Sequence, residues 1–125
     1  MKSPWIAGLR STALTVPDLA AAETFYTQVW HLTVVSRSAD TLYLAGSGTD
    51  HHLLALQQRP GTPQLLRVTL RARDAASLDA IAAATVAAGG VVERPTGPAS
   101  DPAGGVSLVI RDGEGRRFEV VHGDT

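Results

Sequence analysis

The chain contains an internal repeat, and this repeat limits the folds open to it more than any other feature. Residues 9–18 (LRSTALTVPD) and residues 65–74 (LLRVTLRARD) each alternate polar and apolar side chains and end on an aspartate. After each copy, apolar residues recur at helical spacing, and a pair of valines follows at 34–35 and at 91–92. Two such modules cannot bury their apolar faces alone, so they must pack together. We therefore expect them to enclose a cleft, where small-molecule sites usually lie.

The first module, over about residues 7–58, is predicted to follow the order β-α-β-β-β. Its first strand ends at Pro17, which cannot continue a ladder, and Asp18 is placed to cap the next helix. The predicted elements are a strand over 9–16, a helix over 19–30, and strands over 32–37, 41–45 and 51–56. A glycine-rich turn over 46–50 precedes the last strand, which begins with His51 and His52.

The second module, over about residues 64–123, repeats this order after a linker at 59–63. Asp74 is its predicted helix cap, and Gly89-Gly90 is predicted to end the helix because glycine accepts the left-handed conformation. The predicted elements are a strand over 65–72, a helix over 75–88, and strands over 90–94, 106–111 and 116–122, with a loop over 95–105. The whole of 1–125 is thus expected to be a single domain.

Composition excludes several classes of function. The net charge is −1, with 11 basic and 12 acidic residues, so neither nucleic acid nor an anionic membrane is an expected partner. The absence of cysteine excludes disulfides, thiolate metal sites and thiol catalysis. The sequence has neither an apolar run that could span a bilayer nor the apolar core of a signal peptide, so a cytoplasmic location is expected.

Several short motifs resemble the vicinal oxygen chelate superfamily, which includes glyoxalase I, extradiol ring-cleavage dioxygenases, and bleomycin and fosfomycin resistance proteins. The matching segments are residues 13–19 (ALTVPDL), Phe25-Tyr26, and residues 111–120 (RDGEGRRFEV). The resemblance implies an α+β fold in which two tandem β-α-β-β-β modules form a cupped mixed sheet with helices on the outer face. It leaves the reaction open, because this scaffold carries isomerases, dioxygenases, transferases and binding proteins.

Within the superfamily, residues 51–56 (HHLLAL) and 118–124 (FEVVHGD) look most like the N-terminal domain of an extradiol dioxygenase. In two-domain members of that group, the N-terminal domain carries no metal and the iron lies in the C-terminal copy. The resemblance therefore implies a domain excised from a larger protein, with a second tandem domain as its partner. A homodimer is the alternative arrangement, since the family often pairs modules between chains.

The superfamily binds a divalent metal such as iron or manganese through the first and last strands of each module. The resemblance places Ser11, His52, Arg67 and Glu119 at these four positions, with His51 as the alternative to His52. Serine is a poor ligand, and arginine stays protonated and repels a cation. His52 and Glu119 alone fall short of the three protein ligands of a typical catalytic metal site. We expect no metal cofactor, and we assign no catalytic residue.

Strand alternation suggests what replaces the metal. Arg67 shares a face with Thr69, and Glu119 shares a face with Arg117. If both faces line the cup, an Arg67–Glu119 ion pair takes over the structural part of the metal's role. The alternative is that Arg67 recognises an anionic ligand, because its planar fork suits carboxylates.

The histidines also have simpler structural interpretations. On an alternating strand, one of His51 and His52 lies in the cup and the other packs outside. His31 stands near a helix C-terminus, where it interacts favourably with the helix dipole. His122 is expected at the surface.

The function that follows is an extradiol-dioxygenase-like domain with an incomplete metal site. It acts on or binds a small aromatic or other apolar ligand, and it shapes or completes an enzyme. One alternative is a non-enzymatic binding protein of the bleomycin-resistance kind, which encloses its ligand in a dimer cleft. Another is an active metal-dependent lyase or dioxygenase whose ligands lie in a different register.

Overall fold

The computed structural model describes residues 5–124 and contains eight strands and two helices over that range. In chain order they are β1 (Ile6–Val16), α1 (Leu19–Gln28), β2 (Thr33–Arg37), β3 (Thr41–Ala45), β4 (Leu54–Gln58), β5 (Leu65–Ala72), α2 (Ala75–Ala87), β6 (Val91–Pro98), β7 (Val106–Arg111) and β8 (Arg117–His122). The predicted α+β class and the repeated β-α-β-β-β order are confirmed. Neither described helix is long and apolar enough to cross a membrane.

The chain divides into two compact units. The continuous unit is Ser11–Leu66, and the two-segment unit combines the chain up to Arg10 with the chain from Arg67 onward. The division falls inside β1, so the beginning of this strand belongs to the two-segment unit. There, the backbone N–H of Arg73 donates to the carbonyl of Trp5 at 2.7 Å.

The continuous unit has the strand order β2-β3-β4-β1, in which β1 and β4 are parallel and the other pairs are antiparallel. One face of this sheet packs against α1. The apolar core between this face and α1 has four buried leucines at its centre, Leu42, Leu44, Leu54 and Leu56. Burial of these side chains against Leu19, Ala22 and Tyr26 holds α1 on the sheet.

The two-segment unit has the order β5-β8-β7-β6, with β5 and β8 parallel and the other pairs antiparallel. Its apolar core lies between the sheet and α2 and consists of Ala72, Leu78, Ile81, Leu108 and Val120. Because side chains alternate along a strand, the neighbours of these strand residues lie on the opposite face. That opposite face carries the polar residues described below.

Both helices begin as predicted. The side chain of Asp18 accepts a hydrogen bond from the backbone N–H of Ala21 at 3.1 Å, and Asp74 accepts from that of Ser77 at 2.9 Å. The Ser77 hydroxyl also donates to Asp74, and these bonds lower the pKa of that carboxyl. α2 ends before Gly89, which adopts the left-handed conformation predicted for it, with φ of 94°.

His31 also adopts the left-handed conformation, with φ of 60°, and is the non-glycine residue that does so within 5–124. It lies three residues beyond the end of α1, where the chain turns back so that the N–H of Leu32 donates to the carbonyl of Tyr26. This conformation is strained for a side chain with a Cβ. The His31 side chain is exposed.

Replacing His31 with glycine is expected to raise the free energy of unfolding by about 1 kcal/mol, because glycine adopts positive φ without this strain. Urea denaturation of the two proteins measures the difference. The converse control is Gly89→Ala, where φ is 94° and no atom lies within 4 Å of the added Cβ. The free energy of unfolding of Gly89→Ala is expected to fall by a similar amount. If His31→Gly proves less stable than the wild type, the strain at His31 is contradicted.

Several predicted boundaries are wrong. β1 begins at Ile6 rather than at residue 9, and α1 ends at Gln28 rather than at residue 30. β4 begins at Leu54 rather than at residue 51. The His51 and His52 rings contact each other, with Nδ1 atoms 2.9 Å apart, whereas successive residues of a strand point to opposite faces. β6 continues into the predicted loop and ends at Pro98, because register shifts between Val92 and Gly97 accommodate Pro95 at the edge of this unit's sheet.

Candidate functional site

The carboxylate of Glu119 is the centre of the polar face in the two-segment unit. Its Oε1 accepts hydrogen bonds from Arg67 Nε at 3.4 Å and from Thr69 Oγ1 at 3.3 Å. Its Oε2 accepts from Ser107 Oγ at 2.8 Å, and Arg94 Nη2 lies 3.9 Å away. Glu119 is 4% exposed, so these donors replace the water that its charge would otherwise require.

Sheet register brings these residues together. β5 and β8 are parallel with Thr69 beside Glu119, and β7 places Val109 on the other side of Glu119. Arg67 and Ser107 each stand two residues before these partners, so their side chains share the face of Glu119. The structure thus brings together Arg67 and Glu119, the two predicted site residues of this unit.

A cavity of about 230 Å³ opens beside this carboxylate, within the two-segment unit. Three arginines, two glutamates, one serine and one valine line it: Arg67, Arg94, Arg117, Glu93, Glu119, Ser100 and Val109. Arg117 Nε donates to Glu93 Oε1 at 3.0 Å, and Arg111 Nε donates to the same atom at 2.6 Å. Partial burial acts to raise the pKa of Glu93, but these two arginines outweigh it and hold the pKa below its ordinary range.

A second ion network in the same unit joins distant parts of the chain. Arg10 Nη2 lies 2.6 Å from Asp101 Oδ2, and Arg10 Nη1 lies 3.3 Å from Asp124 Oδ2. Arg71 donates to both oxygens of Asp124, at 3.2 Å and 2.7 Å. Burial acts to raise the pKa of Asp124, but the bonds and charges of Arg71 and Arg10 hold it below its ordinary value. This network fixes the residues that flank β8 and the loop after β6.

The other two predicted site residues belong to the continuous unit. Ser11 is buried on β1. His52 is buried just before β4, where its ring contacts Tyr43 with centroids 4.9 Å apart and its Nδ1 faces that of His51. An Nδ1–Nδ1 hydrogen bond needs one ring to donate and the other to accept. Each histidine is therefore already engaged within this unit.

The residues around Glu119 do not fit the divalent metal that the sequence resemblance implies. Both carboxylate oxygens accept bonds from protein donors, and two of the nearby groups are guanidinium ions that repel a cation. Among residues 5–124, no group of three or more histidine, aspartate or glutamate side chains is placed to hold a metal ion. We therefore assign no chemical step to a metal at this position.

Sequence reasoning missed several polar residues of this unit. The alternation of side chains placed Thr69 on the face of Arg67, but Thr69 was not assigned to the site. Ser107 could have been found by extending the same alternation to β7. Arg94 lies beyond a register shift in β6, which breaks that alternation. Arg10 lies 91 residues before Asp101, and no local pattern indicates a contact over that separation.

Comparison with known proteins shows which fold family this arrangement belongs to. Residues 11–121 match the family model of the glyoxalase-like domain. A Mn(II)-bound glyoxalase from Novosphingobium aromaticivorans is 28% identical with a TM-score of 0.88, covering 94% of this chain and 39% of that one. A comparison with curated protein sequences finds no significant match.

Extradiol enzymes are also similar. Homoprotocatechuate 2,3-dioxygenase from Brevibacterium fuscum, in complex with 3,4-dihydroxyphenylacetate, is 25% identical with a TM-score of 0.83, covering 96% of this chain and 37% of that one. This chain thus spans less than two fifths of the length of either solved structure. The match over 11–121 and the repeated β-α-β-β-β order agree, and the chain belongs to the glyoxalase-like domain family of the vicinal oxygen chelate superfamily.

Proposed function

We propose that residues 1–125 form one extradiol-dioxygenase-like domain that binds a small aromatic or other apolar ligand without the divalent metal of the superfamily. The observation that carries this proposal is the hydrogen bonding of the Glu119 carboxylate. Arg67, Thr69 and Ser107 occupy both oxygens of the carboxylate that the resemblance assigns to the metal. In this proposal the ion pair supplies the bridge between β5 and β8 that a metal supplies in active relatives.

The partner in this proposal is a second tandem domain or a second copy of the chain. The domain's task is to shape or complete an enzyme that acts on an aromatic substrate. This chain matches less than two fifths of the length of the similar enzymes, which supports a role within a larger assembly. The ligand of the B. fuscum enzyme, 3,4-dihydroxyphenylacetate, supports the aromatic class of ligand.

A second candidate function is ligand binding without any part in catalysis. A cavity of about 410 Å³ in the continuous unit favours it, since ligand pockets fall in the range of about 300–1,000 Å³. Its walls include Leu14, Phe25, Tyr26 and Leu65, so it suits an apolar ligand. Phe25 and Leu65 are exposed, which leaves this surface open to a ligand or to a dimer partner.

Protein produced with added manganese or iron is expected to retain far less than one metal ion per chain after dialysis. Elemental analysis measures this ratio, with the N. aromaticivorans glyoxalase treated in parallel as the positive control. EDTA is expected to leave the unfolding temperature of this chain unchanged. Stoichiometric manganese or iron, lost together with stability on EDTA treatment, would contradict the proposal.

Ligand binding is tested separately by calorimetric titration with 3,4-dihydroxyphenylacetate, with an oxygen electrode as the activity readout. The proposal predicts saturable binding without oxygen uptake by the chain alone. Oxygen uptake that depends on added metal would instead support an active dioxygenase. Absence of binding to the chain would refute the ligand-binding function.

A further inference from the structure

We propose that the cavity beside Glu119 is a subsite for a small oxyanion, the carboxylate or phosphate group of a ligand. This deepens the ligand-binding function above and rests on it. The ligand then has an apolar body and an anionic end. Arginine is the residue suited to this task, because its planar fork binds carboxylate and phosphate through two parallel hydrogen bonds.

The first argument is a row of like charges across three strands. β5 and β8 are parallel with Val68 beside Phe118, so the preceding residues, Arg67 and Arg117, are neighbours on one face. On the other side of β8, Arg117 is paired directly with Arg111 of β7. Like charges at directly opposite positions of a sheet are destabilising.

The carboxylate of Glu93 already offsets the repulsion between Arg111 and Arg117, because it accepts hydrogen bonds from both. The repulsion that remains is between Arg67 and Arg117. An anion bound between these two side chains would offset it.

The second argument is that guanidinium donors remain available. Arg67 uses Nε for Glu119, and Arg117 uses Nε for Glu93. Among residues 5–124, no acceptor for the Nη groups of either arginine lies within hydrogen-bond distance. The side chains of Arg67 and Arg117 are 29% and 32% exposed, so a ligand can reach these donors.

The two glutamates in the cavity do not cancel this positive charge. Both oxygens of Glu119 are bound by Arg67, Thr69 and Ser107. Glu93 accepts from two arginines, of which Arg111 lies outside the lining of the cavity. The lining therefore contains three guanidinium groups and two carboxylates, so positive charge remains in excess.

The size of the cavity limits what it can accept. Its volume of about 230 Å³ is below that of pockets for drug-sized ligands, so it suits one anionic group rather than a whole large ligand. Val109 supplies apolar surface to the cavity wall.

The test uses phosphate, benzoate and neutral benzyl alcohol as probes at low ionic strength, followed by ¹H–¹⁵N NMR of the arginine Nε–H groups. Saturable shifts of Arg67 and Arg117 are expected with phosphate or benzoate, and the tighter probe identifies the class of anion. Arg117→Gln is expected to weaken that binding at least about tenfold, as removal of charge-assisted hydrogen bonds predicts.

Arg116→Gln is the matched control, because it makes the same charge change one residue away on an exposed side chain paired with Asp112 and Glu114. It is expected to change affinity less than about twofold, since exposed charges are screened. Equal losses in both variants would show non-specific charge attraction and overturn the subsite.

Failure of the subsite is distinguishable from failure of the proposed function. If 3,4-dihydroxyphenylacetate binds the wild type and Arg117→Gln equally well, the subsite is refuted and the ligand-binding function stands. If no probe and no aromatic acid binds the folded wild type, both are refuted. Binding of phosphate or benzoate that is lost in Arg117→Gln but kept in Arg116→Gln supports the subsite.

Discussion

Replacing Arg10 with alanine is expected to lower the free energy of unfolding by about 3–5 kcal/mol, the loss typical of a broken buried ion pair. The Arg10 side chain is 1% exposed, and its guanidinium lies between the buried carboxylates of Asp101 and Asp124. Removing it leaves these charges close together without the cation that joins them. Arg71 still binds Asp124, which keeps the loss within this range. Urea denaturation at neutral pH measures it.

Arg37→Ala is the matched control, because it also removes one arginine from an ion pair. Arg37 binds Glu23 through two hydrogen bonds, but its side chain is 53% exposed. Exposed pairs contribute little to stability, so this variant is expected to remain close to the wild type. Equal effects of the two substitutions would contradict a special role for burial.

The pH dependence of the free energy of unfolding provides a second measurement on Arg10→Ala. In the wild type, the lowered pKa of Asp124 contributes stability that is present above the ordinary aspartate pKa of about 3.9 and is lost as pH falls through the folded-state value. In the variant, protonation of Asp124 removes a charge that Arg10 no longer compensates. The stability difference between the two proteins is therefore expected to narrow as pH falls. A difference independent of pH would indicate lost packing rather than lost charge.

Replacing Gly105 with alanine is expected to destabilise the protein by about 3–5 kcal/mol, because two separate penalties combine. Gly105 has φ of 83°, which strains any residue with a Cβ. An added Cβ would also lie 2.6 Å from the carbonyl oxygen of His122 and 2.8 Å from the backbone nitrogen of Asp124. Backbone atoms cannot rotate away as a side chain does. The loop or the end of β8 must therefore move.

Gly104→Ala separates the two penalties. Gly104 has a similar φ of 74°, but no atom lies within 4 Å of its added Cβ. This variant carries only the conformational strain, about 1–2 kcal/mol. Urea denaturation of both variants gives the difference. If both variants lose the same free energy of unfolding, the close approach of Gly105 to residues 122–124 adds no penalty to the conformational strain.

The fold was largely predictable because its signals are local. Alternation over β1 and β5, aspartate caps before both helices and Gly89 after α2 each act within a few residues. The error at β4 has a physical cause. The apolar run that follows His52 suits a strand, but the rings of His51 and His52 contact each other, which the alternation of side chains along a strand does not allow. A contact between side chains overrides the strand preference there.

The site was predictable only where sheet periodicity carried the information. Placing Arg67 with Glu119 required two things, the period of two along each strand and the adjacency of β5 and β8. The first follows from the alternation of side chains, and the second follows from the fold that the resemblance implies. Arg94 lies beyond a β-bulge, where the period fails. Asp101 and Asp124 lie in a loop and beyond the last strand, where polar residues are ordinary, so nothing in their surroundings marks them as buried.

The division of the chain inside β1 has a consequence for the order of folding during synthesis. Every residue of the continuous unit, Ser11–Leu66, is synthesised before the second segment of the other unit begins at Arg67. Arg10 emerges before any of them, yet its partner Asp124 follows 114 residues later. Domains fold as their residues become available, and contacts at long separation close late. Until these partners are synthesised, Arg10 remains a hydrated charge, so its burial can only follow the synthesis of the last strand.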